Sequence, residues 1–167
     1  MSRYYNTIAP SYDELHGDEQ LEKLRVCMGY LSPKEDEKLL DVGCGTGIST
    51  EPWNCERYGI DPAEELIRIA KEKRSDCEYR VAAAEDIPFP DKSFDHVISI
   101  TAIQNFNDLD KGLREIDRVL KDRGNIIITT IKDSQKLRTM SKRVKERFNI
   151  TKTHDGKIDL FFIGKKA

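Results

Sequence analysis

Apolar positions along this chain alternate between two rhythms. Short, nearly continuous runs at residues 39–42 and 94–100 and at 126–131 read as buried strands, with weaker candidates at 57–60 and 78–82. Between them the apolar residues fall three and four apart, as a helix requires. Leu21, Leu24, Met28 and Leu31 mark an amphipathic helix over 18–31, stopped by Ser32-Pro33. Leu66, Ile67 and Ala70 share one face of a helix over 63–73. Asn107 or Asp108 caps a third helix, carrying Leu109, Leu113, Ile116, Val119 and Leu120. Residues 122–125 turn the chain into the strand at 126–131, and a basic helix follows over about 134–147. Residues 148–153, a turn at His154-Asp155-Gly156, and 157–164 then form a hairpin.

Strands alternating with helices predict right-handed crossovers and a parallel sheet, to which the hairpin adds one antiparallel strand. The fold class is therefore α/β, doubly wound, as one domain over residues 1–167. Residues 1–13 are aromatic and polar with no sustained period, and residues 1–33 together read as an N-terminal lid and helix segment.

A chain of 167 residues with 38% apolar residues has material for one core. No apolar run approaches the roughly 20 residues that span a bilayer. With no basic-then-apolar leader either, a cytoplasmic protein is expected. Cys27, Cys44, Cys55 and Cys77 lack paired short spacing and stand apart from the histidines, so they read as reduced thiols with no metal site. The net charge of −2 hides an asymmetry, because residues 132–167 hold eleven basic side chains against four acidic ones.

The chemistry gathers at Leu39-Leu40-Asp41-Val42-Gly43-Cys44-Gly45-Thr46-Gly47, a strand that breaks into a loop with three alternate glycines. Glycine lets backbone approach a ligand closely, and residues 46–51 look like the first turn of a short helix, interrupted by Pro52. A dinucleotide would seat its pyrophosphate here, on a Gly-x-Gly-x-x-Gly loop in positive surroundings. This loop runs Gly43-x-Gly45-x-Gly47 instead, and Asp41 would repel phosphate. A cationic donor without phosphate, S-adenosylmethionine, suits it better. Asp61, ending the next strand, stands where a carboxylate accepts from both ribose hydroxyls; capping the helix that Pro62 begins is the alternative role.

These residues resemble the class I S-adenosylmethionine-dependent methyltransferases over almost the whole chain. Ala84-Glu85-Asp86-Ile87-Pro88-Phe89-Pro90, Ser93-Phe94-Asp95 and Arg118-Val119-Leu120-Lys121 are similar to that family's later motifs, in the usual order. The resemblance implies a seven-stranded sheet ordered 3-2-1-4-5-7-6, its last strand antiparallel, with helices on both faces in three layers. It implies that Asp41 and the backbone of Gly43, Cys44, Gly45, Thr46 and Gly47 hold the methionine part. Asp61 and Pro62 would meet the ribose, Ala84 and Glu85 the adenine, and Ile100 would offer backbone beside the cofactor. One position departs from the family pattern: Ala83 stands where many relatives carry an acid that accepts the adenine amino group.

Methyl transfer from a sulfonium is an in-line displacement in which positioning and desolvation supply most of the rate. Gln104 and Asn105 are acceptor-side candidates, with loop hydrogen bonding as their other role. Tyr4, Tyr5 and Tyr12 form either a lid or the packing of a terminal helix. His96, early in its strand, reads as structural, and His16 lies in the N-terminal segment. The acceptor is a small molecule or an RNA: the N-terminal tyrosine-rich stretch resembles ubiquinone/menaquinone C-methyltransferases, and the basic C-terminal part could hold phosphates. A cofactor-binding subunit that needs a partner, a homodimer, and an NAD(P) oxidoreductase are the readings carried beside it.

Overall fold

The computed structural model describes residues 2–73 and 76–167. Two helices open the chain, α1 (Ser2–Ile8) and α2 (Tyr12–Met28), joined by a single 3-10 turn at Ala9–Ser11. Then follow β1 (Lys38–Val42), β2 (Glu56–Asp61), α3 (Glu64–Lys73), β3 (Cys77–Val81) and β4 (Phe94–Ser99). A 3-10 turn at Ile103–Asn105 leads to α4 (Leu109–Val119), β5 (Leu120–Ile131), α5 (Leu137–Arg147), β6 (Phe148–Asp155) and β7 (Asp159–Lys166).

The seven strands form one sheet in the order β3-β2-β1-β4-β5-β7-β6. The pairs from β3 to β5 are parallel, and β7 runs antiparallel to both of its neighbours. The expected doubly wound fold is therefore present, in its expected strand order. Side chains alternate across the pleat, so the sheet feeds two cores. Leu40, Val42, Val97, Ile126 and Phe162 face α4 and α5, while Leu39, Ile98, Ile127 and Phe161 face α2.

Four local expectations change. The first long helix begins six residues earlier than its leucine period suggests, and it turns a different face inward. Leu24 and Cys27 are buried together with Lys23, whereas Leu21 and Met28 are exposed. An inward lysine breaks the apolar period, which is why the pattern misplaced that face. The segment after the glycine loop forms turns rather than a helix; Thr50 N and Glu51 N both bond Gly47 O, one helical turn that Pro52 ends. Residues 122–125 are a bulge inside β5, with Arg123 at φ 64° and a register shift against β4. Finally, α5 begins at Leu137, three residues later than its charge pattern suggests. Asp108, not Asn107, caps α4, its carboxylate accepting from Lys111 N at 2.9 Å.

Candidate functional site

The carboxyl ends of β1 and β4 lie side by side where the strand order reverses, and an open α/β sheet leaves a crevice there. The glycine loop fills one wall. Gly43, Gly45 and Gly47 all have positive φ (80°, 56° and 86°), so the alternation seen in sequence is a conformational requirement. A Cβ on Gly43 would collide with Ala102, and one on Gly45 would press on the Tyr12 ring at 3.4 Å. Gly43 N and Cys44 N both donate to Ile60 O, at 2.8 and 3.0 Å, fastening the loop to β2.

Asp61 sits at the mouth of this loop. Its Oδ2 accepts from Gly45 N at 3.0 Å and its Oδ1 from Ala63 N at 2.8 Å. Asp61 therefore turns the chain toward α3 and also lines the crevice. Each carboxylate oxygen keeps a free lone pair for a ligand hydroxyl. Burial raises its pKa, and the two backbone N–H bonds oppose that rise.

Asp41 lies one layer deeper than expected. It is fully buried and does not line the crevice; its Oδ2 accepts from Ser49 Oγ at 2.6 Å and Thr50 Oγ1 at 2.8 Å. Its Oδ1 has no hydrogen-bond partner among the described residues. Burial pushes the carboxyl up to about 6, with the hydroxyl bonds opposing and Asp61 adding to the rise. Asp41 thus braces the loop from behind and acts on the crevice through its field.

The crevice encloses about 840 Å³ including its open mouth. Of the expected residues, Gly43, Cys44, Asp61, Pro62, Ala84, Glu85 and Ile100 line it. Gly45, Thr46 and Gly47 shape the loop without lining it; Thr46 Oγ1 instead donates to Asp13 at the start of α2. Asn105 lines the crevice and donates to Tyr5 Oη at 3.1 Å. Gln104 does not line it: its amide donates to Thr101 O at 2.6 Å and accepts from Thr130, a loop-bracing role. Ala83 lines the wall as a methyl group, and neighbouring Glu85 accepts from Asp108 N at 3.0 Å.

The N-terminal helices roof the crevice. Tyr5, Tyr12 and Gln20 line it from above, while Tyr4 is 58% exposed and only edges onto Tyr5. Asn6 Oδ1 accepts from Glu65 N at 3.0 Å, tying α1 to the start of α3, and Asp13 pairs with Lys73. Burial raises the pKa of both Tyr5 and Tyr12, so each is a phenol at neutral pH. His16 stacks against Tyr12 at 5.1 Å without reaching the crevice. His96 is held between Glu37 (2.8 Å) and Asn125 (3.1 Å), far from it, as its place in the strand suggested.

Among the described residues no lysine or arginine lines the crevice, and none of residues 132–167 reaches it. Asp61 and Glu85 at the wall, with Asp41 behind it, make the interior negative. Such a site suits a sulfonium donor and opposes a pyrophosphate. Sequence reasoning missed, among others, Gln20, Ser49, Thr101, Ala102 and Asn107 in the lining, which arrive through the path of α2 and the loops.

The model of the methyltransferase domain family matches residues 40–128, which begin within β1 and end within β5. This chain belongs to the methyltransferase domain family. The methyl donor that membership implies is S-adenosylmethionine, and the geometry fits it: a left-handed glycine cradle, an aspartate at the mouth of the loop, and buried negative charge with no lysine or arginine in the lining among the described residues. An uncharacterized protein of Methanocaldococcus jannaschii is 37% identical over 129 residues, 77% of this chain and 51% of that protein. The demethylmenaquinone methyltransferase of Thermotoga maritima is 32% identical over 136 residues, 75% of this chain and 59% of that protein. The chain thus spans about half to three fifths of the length of these relatives. Among solved structures, the methyltransferase bound to the Trm112 activator of Haloferax volcanii superposes with a TM-score of 0.84 at 17% identity, covering 97% of both chains. Among the described residues, no helix is long and apolar enough to cross a membrane.

Proposed function

We propose that this methyltransferase moves a methyl group from S-adenosylmethionine to a small acceptor without negative charge, bound beneath α1 and α2. The carrying observation is the lining: carboxylates, phenols, amides and apolar groups, and no cation among the described residues. A phosphate backbone needs Lys or Arg at its contacts, and here the basic residues sit elsewhere. Lys142 and Arg143 on α5 face Glu146 and Asp110, outside the crevice.

In this reading the backbone of Gly43 and Cys44, shaped by Gly45 to Gly47 behind them, holds the methionine arm, Asp61 the ribose, and Ala84 with Glu85 the adenine. Glu85 takes over the part of the acid absent at Ala83. S-adenosylmethionine supplies a methyl group on a positively charged sulfur, which becomes neutral as the new bond forms. The protein aligns acceptor and methyl group and excludes water; Tyr5, Tyr12 and Asn105 form the acceptor side of that enclosure. With no histidine or lysine lining the crevice among the described residues, the acceptor brings its own reactive lone pair or an acidic proton. Four cysteines that form no disulfide among the described residues suit a reducing compartment, which supports the cytoplasm.

The likeness to the Trm112-bound methyltransferase supports a second element, an activator subunit that completes the enzyme. Calorimetry with S-adenosylmethionine tests the site first. Labelled methyl incorporation into the small-molecule and RNA fractions of a cell extract tests the acceptor. Label in small molecules is expected, and label in RNA would defeat this reading. Binding without turnover until an activator is added would establish the subunit.

A further inference from the structure

Lys23 is 5% exposed, and its ammonium has three side-chain oxygens around it. Nζ meets Glu19 on its own helix, donates to Thr101 Oγ1 at 2.8 Å, and pairs with Asp159 Oδ1 at 3.0 Å. Asp159, at the start of β7, has a side chain that is 0% exposed; its Oδ2 accepts from Thr101 Oγ1 and Thr129 Oγ1, both at 2.6 Å. Thr129 Oγ1 in turn accepts from Thr101 N at 2.8 Å. The circuit joins α2, β5 and β7 to one residue after β4.

That residue is conformationally costly. Thr101 has φ 54°, a left-handed conformation that β-branched side chains avoid, and it lines the crevice between Ile100 and Ala102. Its N–H, its hydroxyl and its carbonyl are all held, the last by Gln104. Ala102, the next residue, fills the space that a Cβ on Gly43 would need. Neither Lys23 nor Asp159 lines the crevice.

We propose that the Lys23–Asp159 pair is a positioning device: through left-handed Thr101 it sets residues 100–102 against Gly43, and so fixes the floor of the cofactor crevice. The same pair fastens α2, which carries Tyr12 and Gln20 over that floor. This inference rests on the reading that the crevice holds S-adenosylmethionine.

The test uses the whole chain with both charges removed together, Lys23→Met with Asp159→Asn, so that no lone ion stays buried. Calorimetry with S-adenosylhomocysteine is expected to show binding about tenfold weaker, and hydrogen exchange of the ligand-free protein faster exchange at 100–103. Thr101→Gly, which adopts the left-handed conformation without strain, should bring the pair variant back to within about threefold of wild type. A purely structural pair would give losses that add. Should the pair variant not fold, Thr129→Ala keeps both charges and is expected to show the same pattern at about threefold. Unchanged affinity and exchange in the variants, or additive losses, overturn the proposal. A wild type that binds no S-adenosylhomocysteine overturns the cofactor reading instead, and exchange at 100–103 then decides this inference alone.

Discussion

Asp41 and Asp159 are both buried aspartates beside the crevice, each accepting from two hydroxyls. They differ in one respect. Asp159 has the Lys23 ammonium at 3.0 Å, whereas Asp41 has no ion-pair partner among the described residues and a pKa pushed up to about 6. A buried carboxylate with a counter-ion is a fastening; one without is electrostatic potential left for a visitor. One aspartate holds the fold, and the other leaves negative charge behind the glycine loop.

The largest effect should come from disturbing the fastening alone. Lys23→Met strands a buried charge, and urea unfolding is expected to show a loss of about 3–5 kcal/mol. Adding Asp159→Asn should return most of it. If the single variant is as stable as wild type, Lys23 is no counter-ion to Asp159.

The opposite sign is expected at Asp41. Its folded pKa of about 6 exceeds the ordinary 3.8, so the folded state takes up a proton more readily than the unfolded chain. The ionised group therefore burdens the fold above about pH 6, by roughly 3 kcal/mol, and the burden vanishes below the unfolded value. Asp41→Asn relieves it but buries an unpaired amide, leaving a net gain of about 1–2 kcal/mol at pH 8. The same variant should bind S-adenosylmethionine at least about tenfold more weakly. A variant both less stable and equally tight in binding would break the comparison.

Titration sharpens it further. Affinity for S-adenosylmethionine should fall as pH drops through about 6 in the wild type, because protonation removes the negative charge behind the loop. Calorimetry across pH 5–8 checks this, and in Asp41→Asn the fall should be absent. The smallest change is Ser49→Ala, which removes one of the hydroxyls donating to Asp41. It should cost about 1 kcal/mol in stability and move the pH at which binding weakens upward by less than about one unit.

Much of this was legible in the chain. The alternation of strands and helices, the glycine loop and Asp61 follow from short-range patterns: apolar runs, alternate glycines, and an acid at a strand end; the strand order came from the family resemblance. The N-terminal helices were not, since Asn6 capping α3 and Tyr5 meeting Asn105 are contacts 59 and 100 residues apart, with no period to announce them. Lys23 was hidden for a stronger reason. A lysine on a helix reads as solvent-facing unless its partner is known, and Asp159 arrives only when β7 inserts between β5 and β6.

By itself, then, the sequence determined the sheet, the conformation of its glycine bend and the negative character of the cofactor corner, because these depend on residue type and spacing. Tertiary structure alone decided that Asp41 lies behind the bend rather than in the crevice, that α1 and α2 roof it with no cation among the described residues, and that Thr101 is held left-handed. Those outcomes turn on burial and on which distant charges meet, and a buried charge takes its energy from its neighbours in space, not from its place in the chain.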